Sequence, residues 1–92
     1  MPESSEATIT LAGDLHARPA GALAVAAGQF TSTVRVSVTG GGGQADAKSV
    51  LAVMQLGASS GQQVTVRAVG PDAEKAVQTL IGILSTVSTV GD

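Results

Sequence analysis

Between residues 7 and 11 the chain alternates strictly: Ala7, Ile9 and Leu11 are apolar, and Thr8 and Thr10 between them are polar. That two-residue period belongs to a strand with one buried face. Gly13-Asp14 breaks the period, and the spacing then changes. Ala20, Leu23, Ala24 and Ala27 recur at helical intervals, which predicts a helix opening at the His16 segment and running to about Gln29. Alternation returns where Val34, Val36 and Val38 intercalate with Thr33, Arg35, Ser37 and Thr39, giving a second strand. Gly40 to Gly43 suits a turn, and a short third strand follows near Gln44–Asp46. A Ser49 N-cap and the stop at Gly57 bracket a short second helix. Val64, Val66 and Ala68 alternate with Gln63, Thr65 and Arg67 as a fourth strand. After the turn Gly70-Pro71-Asp72, the positions Ala73, Ala76, Val77, Leu80, Ile81, Leu84 and Val87 form the stripe of an amphipathic last helix. The ends, 1–6 and 89–92, are expected to fray.

The element order is therefore strand, helix, strand, strand, helix, strand, helix. The three longer strands each have one polar and one apolar face, so helices should cover a single side of the sheet, a two-layer α+β sandwich. No repeat, linker or second domain is visible. The second helix departs from a simple stripe: from Val50 to Leu56 only Gln55 is polar. A short helix on a sandwich buries one side only. Val53 and Leu56 should face the core, leaving Val50, Leu51 and Met54 in water, and an exposed apolar patch of that kind marks a partner surface. Methionine suits a surface that must fit several partners.

Composition narrows the function. The 92 residues suit one small domain, and with aromatics at only 1% the interior must be filled by Val, Ala, Leu and Ile, with Phe30 as its one aromatic anchor. Charged residues make up 13% and the net charge is −2, so no basic stripe is available for nucleic acid. Without cysteine and with one histidine, thiolate and His-rich metal sites are excluded. Met1–Glu6 is polar and carries Glu3 and Glu6, unlike a signal peptide, and no apolar run reaches membrane-spanning length. A soluble, intracellular protein is expected. The run Gly40–Gly43 is not a phosphate loop, because Ala47, not glycine, precedes Lys48-Ser49.

The chemistry concentrates in Leu15-His16-Ala17-Arg18-Pro19-Ala20, which holds the only histidine. Proline is tolerated in the first turn of a helix, where amides lack intrahelical partners. His16 should therefore sit at or just before a helix N-terminus, whose free N–H groups and positive partial charge favour an anion. A lone histidine is more often a surface residue or a cap, and its ionisation near neutrality alone proves nothing. Beside Arg18 and an anion site, however, neutral imidazole is a nucleophile and a competent leaving group, equipped to hold a phosphoryl group.

Together with the run Lys48-Ser49-Val50-Leu51-Ala52-Val53-Met54-Gln55-Leu56-Gly57, this segment resembles the HPr family, the histidine phosphocarriers of the bacterial phosphotransferase system. The resemblance extends over nearly the whole chain, including Phe30, the loop from Gly57 to Gly61 and Gly70-Pro71-Asp72. It implies the family's open-faced sandwich, a four-stranded antiparallel sheet covered on one face by three helices, in a single domain. It also implies that His16 takes a phosphoryl group from enzyme I on its Nδ1 nitrogen and passes it to sugar-specific IIA domains. Arg18 maps onto the arginine that steadies phosphoryl charge, and Pro19 onto the proline that shapes the helix start. Ser49 maps onto the serine that a dedicated kinase, the HPr kinase/phosphorylase, modifies in many Gram-positive members. A partner surface is expected over Ala17, Ala20, Lys48, Val50, Leu51 and Met54. By the same resemblance the protein is a cytoplasmic monomer that needs no cofactor, and its partner enzymes supply the catalysis. Asp14 departs from the family, standing where many members have glycine. Its carboxylate could oppose Arg18 or repel the phosphoryl group. Two alternatives keep the fold: a nitrogen-related or dihydroxyacetone-linked phosphorelay carrier using the same His16, and a regulatory module that acts by docking alone.

Overall fold

The computed structural model describes residues 3–41 and 43–87. The alternating segments become β1 (Ser4–Thr10), β2 (Thr33–Val38), β3 (Gln44–Asp46) and β4 (Gln63–Val69), and the helical ones α1 (Ala17–Ala27), α2 (Val50–Gln55) and α3 (Ala73–Leu84). The strands form one four-stranded sheet in the order β1-β4-β2-β3, antiparallel at every junction. Since β1 and β2 both run antiparallel to β4, they are parallel to each other, and α1 is the crossover between them. β3, α2 and β4 repeat that arrangement around β2.

Val34, Val36 and Val38 of β2 and Val64, Val66 and Ala68 of β4 all point into the core. α3 lies across β1, β4 and β2, and α1 packs on α3 and α2. Leu11, Leu23, Leu80 and Leu84 are the largest fully buried side chains. Each stabilises the fold by roughly 1.5–3 kcal/mol relative to remaining in water. Leucines, not the aromatic ring, thus anchor the interior: Phe30 is half-buried and packs against the rim of the core.

Three boundaries differ from the sequence expectation. Residues 4–6 do not fray, because β1 begins at Ser4 and pairs Ser4 with Val69, Ser5 with Ala68 and Glu6 with Arg67. The Gly70 amide extends the tie by donating to the Glu3 carbonyl at 2.7 Å. α1 ends at Ala27, short of Gln29, because its last turn tightens: Gln29 N–H donates to Ala26 and Phe30 N–H to Ala27, both at 3.1 Å. α3 ends at Leu84, and Val87 is buried just beyond it. The expected fraying of 1–2 and 89–92 lies outside the described residues.

The entry to α3 carries a long-range tie. Asp72 occupies the N-cap position but makes no cap bond with its side chain. Instead one carboxylate oxygen accepts the Thr31 amide and the other the Ser32 amide, each at 2.9 Å, and the Ser32 hydroxyl donates to that second oxygen. The Ser32 hydroxyl, chiefly, and the Thr31 amide hold the Asp72 carboxyl at about 2, below its ordinary 3.8. A folded-state value below the unfolded one means stabilisation that is complete above about 3.8 and lost as pH falls through about 2. Urea denaturation at successive pH values should therefore show Asp72→Asn less stable than wild type by a constant gap down to about 3.8, closing toward about 2. A gap indifferent to pH would mean that the carboxylate charge is not what binds Thr31 and Ser32.

Candidate functional site

The segment between β1 and α1 is held against loop 57–62 by hydrogen bonds in both directions. Leu11 N–H donates to Gln62 O, Gly61 N–H to Leu11 O and Leu15 N–H to Ala58 O, all at 2.9 Å. Leu15 and Ala58 are buried beneath this seam. The Asp14 carboxylate accepts the Ser60 amide at 2.9 Å, and the Ser60 hydroxyl donates to Ala12 O at 3.2 Å. Asp14 is thus engaged in bracing the loop that presents the histidine.

His16 is the N-cap of α1, exposed, with extended backbone at φ −91° and ψ −165°. Its carbonyl accepts the Ala20 amide at 3.0 Å, which opens the helical ladder, and its side chain makes no cap bond. Pro19 has no N–H, so the amides left over at this helix end belong to Ala17 and Arg18. The sequence expectation of a histidine at a helix start is met. The site is also unstrained, since among the described residues no non-glycine has a positive φ.

Arg18 is exposed two residues on. It lines a concavity of about 370 Å³ with Ala22 of α1 and with Ile83, Thr86 and Val87 at the end of α3. This participation of α3 was not visible in the sequence, because nothing in a helical stripe says which neighbour its last turn meets.

At the start of α2 the Ser49 hydroxyl accepts the Ala52 amide at 3.2 Å, the N-cap role read from the sequence. The Lys48 ammonium donates to the Phe30 carbonyl at 2.9 Å and so ties the end of α1 to the start of α2. On α2, Val53 is fully buried and Leu56 half-buried, while Val50, Leu51 and Met54 are 39%, 67% and 41% exposed. The division of that helix into a core side and a wet apolar side follows the expectation. Ala17 is exposed as well. Ala20 corrects it: the residue is completely buried, in phase with Leu23, Ala24 and Ala27 on the inner face of α1, and presents nothing to a partner.

Among the described residues no group of three His, Cys, Asp or Glu side chains comes together to hold a metal ion, and no helix is long and apolar enough to cross a membrane.

Known proteins are similar to this chain in sequence and in fold. The family model described as the PTS HPr component phosphorylation site matches residues 3–86. The phosphocarrier protein HPr of Cupriavidus necator is 41% identical over 71 residues, which cover 77% of this chain and 78% of that protein. A multiphosphoryl transfer protein of Vibrio cholerae is 46% identical over 67 residues, 72% of this chain, although the match spans only 17% of that much longer protein. The structure of a Mycoplasma histidine-containing phosphocarrier protein superposes with a TM-score of 0.75 at 33% identity, covering 88% of this chain and 90% of the other. With a braced histidine at a helix start and these relatives, the chain belongs to the HPr family, the phosphocarriers of the phosphotransferase system.

Proposed function

We propose that His16 is the phosphoryl acceptor, taking the group from enzyme I and handing it to IIA domains. The observation that carries the reading is the chain's only histidine, exposed as the N-cap of α1 beside the amides of Ala17 and Arg18. The Nδ1 lone pair of neutral imidazole attacks phosphorus, and a nitrogen–phosphorus bond forms as the bond to the donor breaks. In the onward step an acceptor on the IIA domain attacks phosphorus, and the nitrogen–phosphorus bond breaks with the imidazole as leaving group. The helix amides and Arg18 stabilise the phosphoryl oxygens in both steps. The protein is then a carrier rather than a catalyst, working in the cytoplasm with partner enzymes that complete the reaction. Ser49 serves as the cap of α2, and a phosphate there would put a negative charge beside the surface that meets enzyme I.

Incubation with phosphoenolpyruvate and enzyme I tests the reading: one acid-labile, base-stable phosphate should appear, and mass spectrometry should locate it on His16. Phosphate on any other residue would overturn it. In the same assay Arg18→Ala should slow transfer roughly 10- to 100-fold, the equivalent of one charged hydrogen bond to the phosphoryl group. Lysine should restore only part of that rate, since it lacks the planar fork. A rate equal to wild type in Arg18→Ala would assign the whole stabilisation to the helix amides.

The wet side of α2 is the docking surface in this reading, supported by the exposure of Val50, Leu51 and Met54 on a helix that packs against α1. Leu51→Asp and Met54→Asp should each weaken enzyme I binding, measured by calorimetry, while changing stability by less than about 1 kcal/mol. Unaltered affinity in both variants would move the docking surface elsewhere.

A further inference from the structure

The face of the sheet that carries no helix has its own charge pattern. At one level of the register the four strands place Glu6, Arg67, Arg35 and Asp46 in a row: Glu6 opposite Arg67, Arg67 opposite Arg35, Arg35 opposite Asp46. The outer pairs are of opposite sign and favour the sheet, whereas the central pair sets two like charges directly across from each other, which disfavours it. These are two of only five Lys and Arg residues in the chain. Both side chains are exposed, and they line a shallow concavity of about 390 Å³ together with Thr33, Ser37, Thr65 and Glu6. The hydroxyls are partly fixed: Thr65 is hydrogen-bonded with Thr8 at 2.8 Å and with Thr39 at 3.4 Å. Of the two flanking carboxylates, that of Asp46 already accepts the Lys48 amide at 3.0 Å, while Glu6 lies on the edge strand beside Arg67.

We propose that Arg35 and Arg67 form a binding site for a small tetrahedral dianion, inorganic phosphate or a phosphomonoester, on the helix-free face of the sheet. Two planar guanidinium forks side by side offer several N–H donors to one group of oxygens, and serine and threonine hydroxyls add more. A dianion between the forks offsets the repulsion that the register builds into the centre of the row. A nucleic acid strand does not fit the pattern, because the cations stop at two and no aromatic side chain accompanies them. The concavity contains neither His16 nor any residue of α1 or α2, so the site stands apart from the phosphoryl acceptor.

The test is a titration of the isotope-labelled protein at constant ionic strength, followed by backbone amide shifts, with inorganic phosphate, glycerol phosphate and chloride in separate arms. Saturable shifts confined to residues 33–37 and 65–69, seen with phosphate or with the ester and not with chloride, are expected. Which of the two saturates at lower concentration identifies the source of the ligand. Arg35→Gln and Arg67→Gln should each raise the apparent dissociation constant at least tenfold, with circular dichroism confirming that both variants remain folded. Either substitution relieves the like-charge pair, so folding should survive. The proposal is overturned if the shifts do not saturate, if chloride reproduces them (an adventitious ion only), if they occur only near residues 15–18, or if both variants bind as tightly as wild type.

Discussion

Phosphoryl uptake should vanish when His16 is replaced by alanine, while the fold stays intact. No second histidine exists to take over, so the loss should be complete rather than partial. The fold should survive because His16 is exposed and its side chain makes no cap bond to α1. The His16 carbonyl, which accepts the Ala20 amide at 3.0 Å and opens the helical ladder, is kept by alanine. The loop below is held by Leu15, Asp14 and Leu11 through partners on loop 57–62, none of which the substitution touches. The stability change should therefore stay within about 1 kcal/mol. The two readouts are enzyme I-dependent phosphate incorporation and thermal unfolding of the same preparation. Incorporation equal to wild type would remove His16 from the mechanism. A variant that fails to fold would show that the ring supports the helix start.

The largest effect on stability should come from a position with no chemistry at all. Gly70 follows β4 with φ +145°, a region that side chains rarely adopt. A Cβ built there would stand 2.6 Å from the Ser32 hydroxyl oxygen and 2.7 Å from the Ser32 Cα, and Ser32 is only 1% exposed. Ser32 cannot retreat, because its amide and hydroxyl both bind Asp72. Gly70→Ala thus combines an unfavourable backbone conformation with overpacking against main chain, about 2–4 kcal/mol in all. For a domain of this size that is a fall in melting temperature of roughly 10–25 °C. Thermal and urea denaturation measure it directly, and a melting temperature unchanged from wild type would mean that β2 and the α3 entry separate more easily than their hydrogen bonds indicate.

Much of this molecule was legible because its signals are local. Each valine in Val34-Val36-Val38 and Val64-Val66 announces its face by its neighbours, and the strands fall where the alternation puts them. The two sides of α2 followed from counting apolar residues against the side a short helix can bury. Features that depend on distant partners were not legible. Ser4, Ser5 and Glu6 look like a polar tail, yet they form an edge strand because β4 offers them backbone partners more than sixty residues away. Asp72 reads as part of a local turn, and its carboxylate serves the distant Thr31 and Ser32. The contact of the Asp14 carboxylate with the Ser60 amide, across a separation of 46 residues, was likewise not legible. Ala20 is the instructive error at the site. Its spacing with Leu23, Ala24 and Ala27 already placed it on the inner face of α1, and the family resemblance put it on the partner surface. The helical phase was the better guide.

The central place of β4 governs how the chain can come together. β1 and β2 both pair with β4 and not with each other, so neither can join the sheet through it until residues 63–69 exist. During synthesis only the β2–β3 hairpin can form early, and the segment that presents His16 waits for loop 57–62 to meet it. Contacts of such long sequence separation slow folding relative to a helical domain of equal length. The histidine loop, made before the strand and loop it depends on, is among the last parts of this domain to take its working shape.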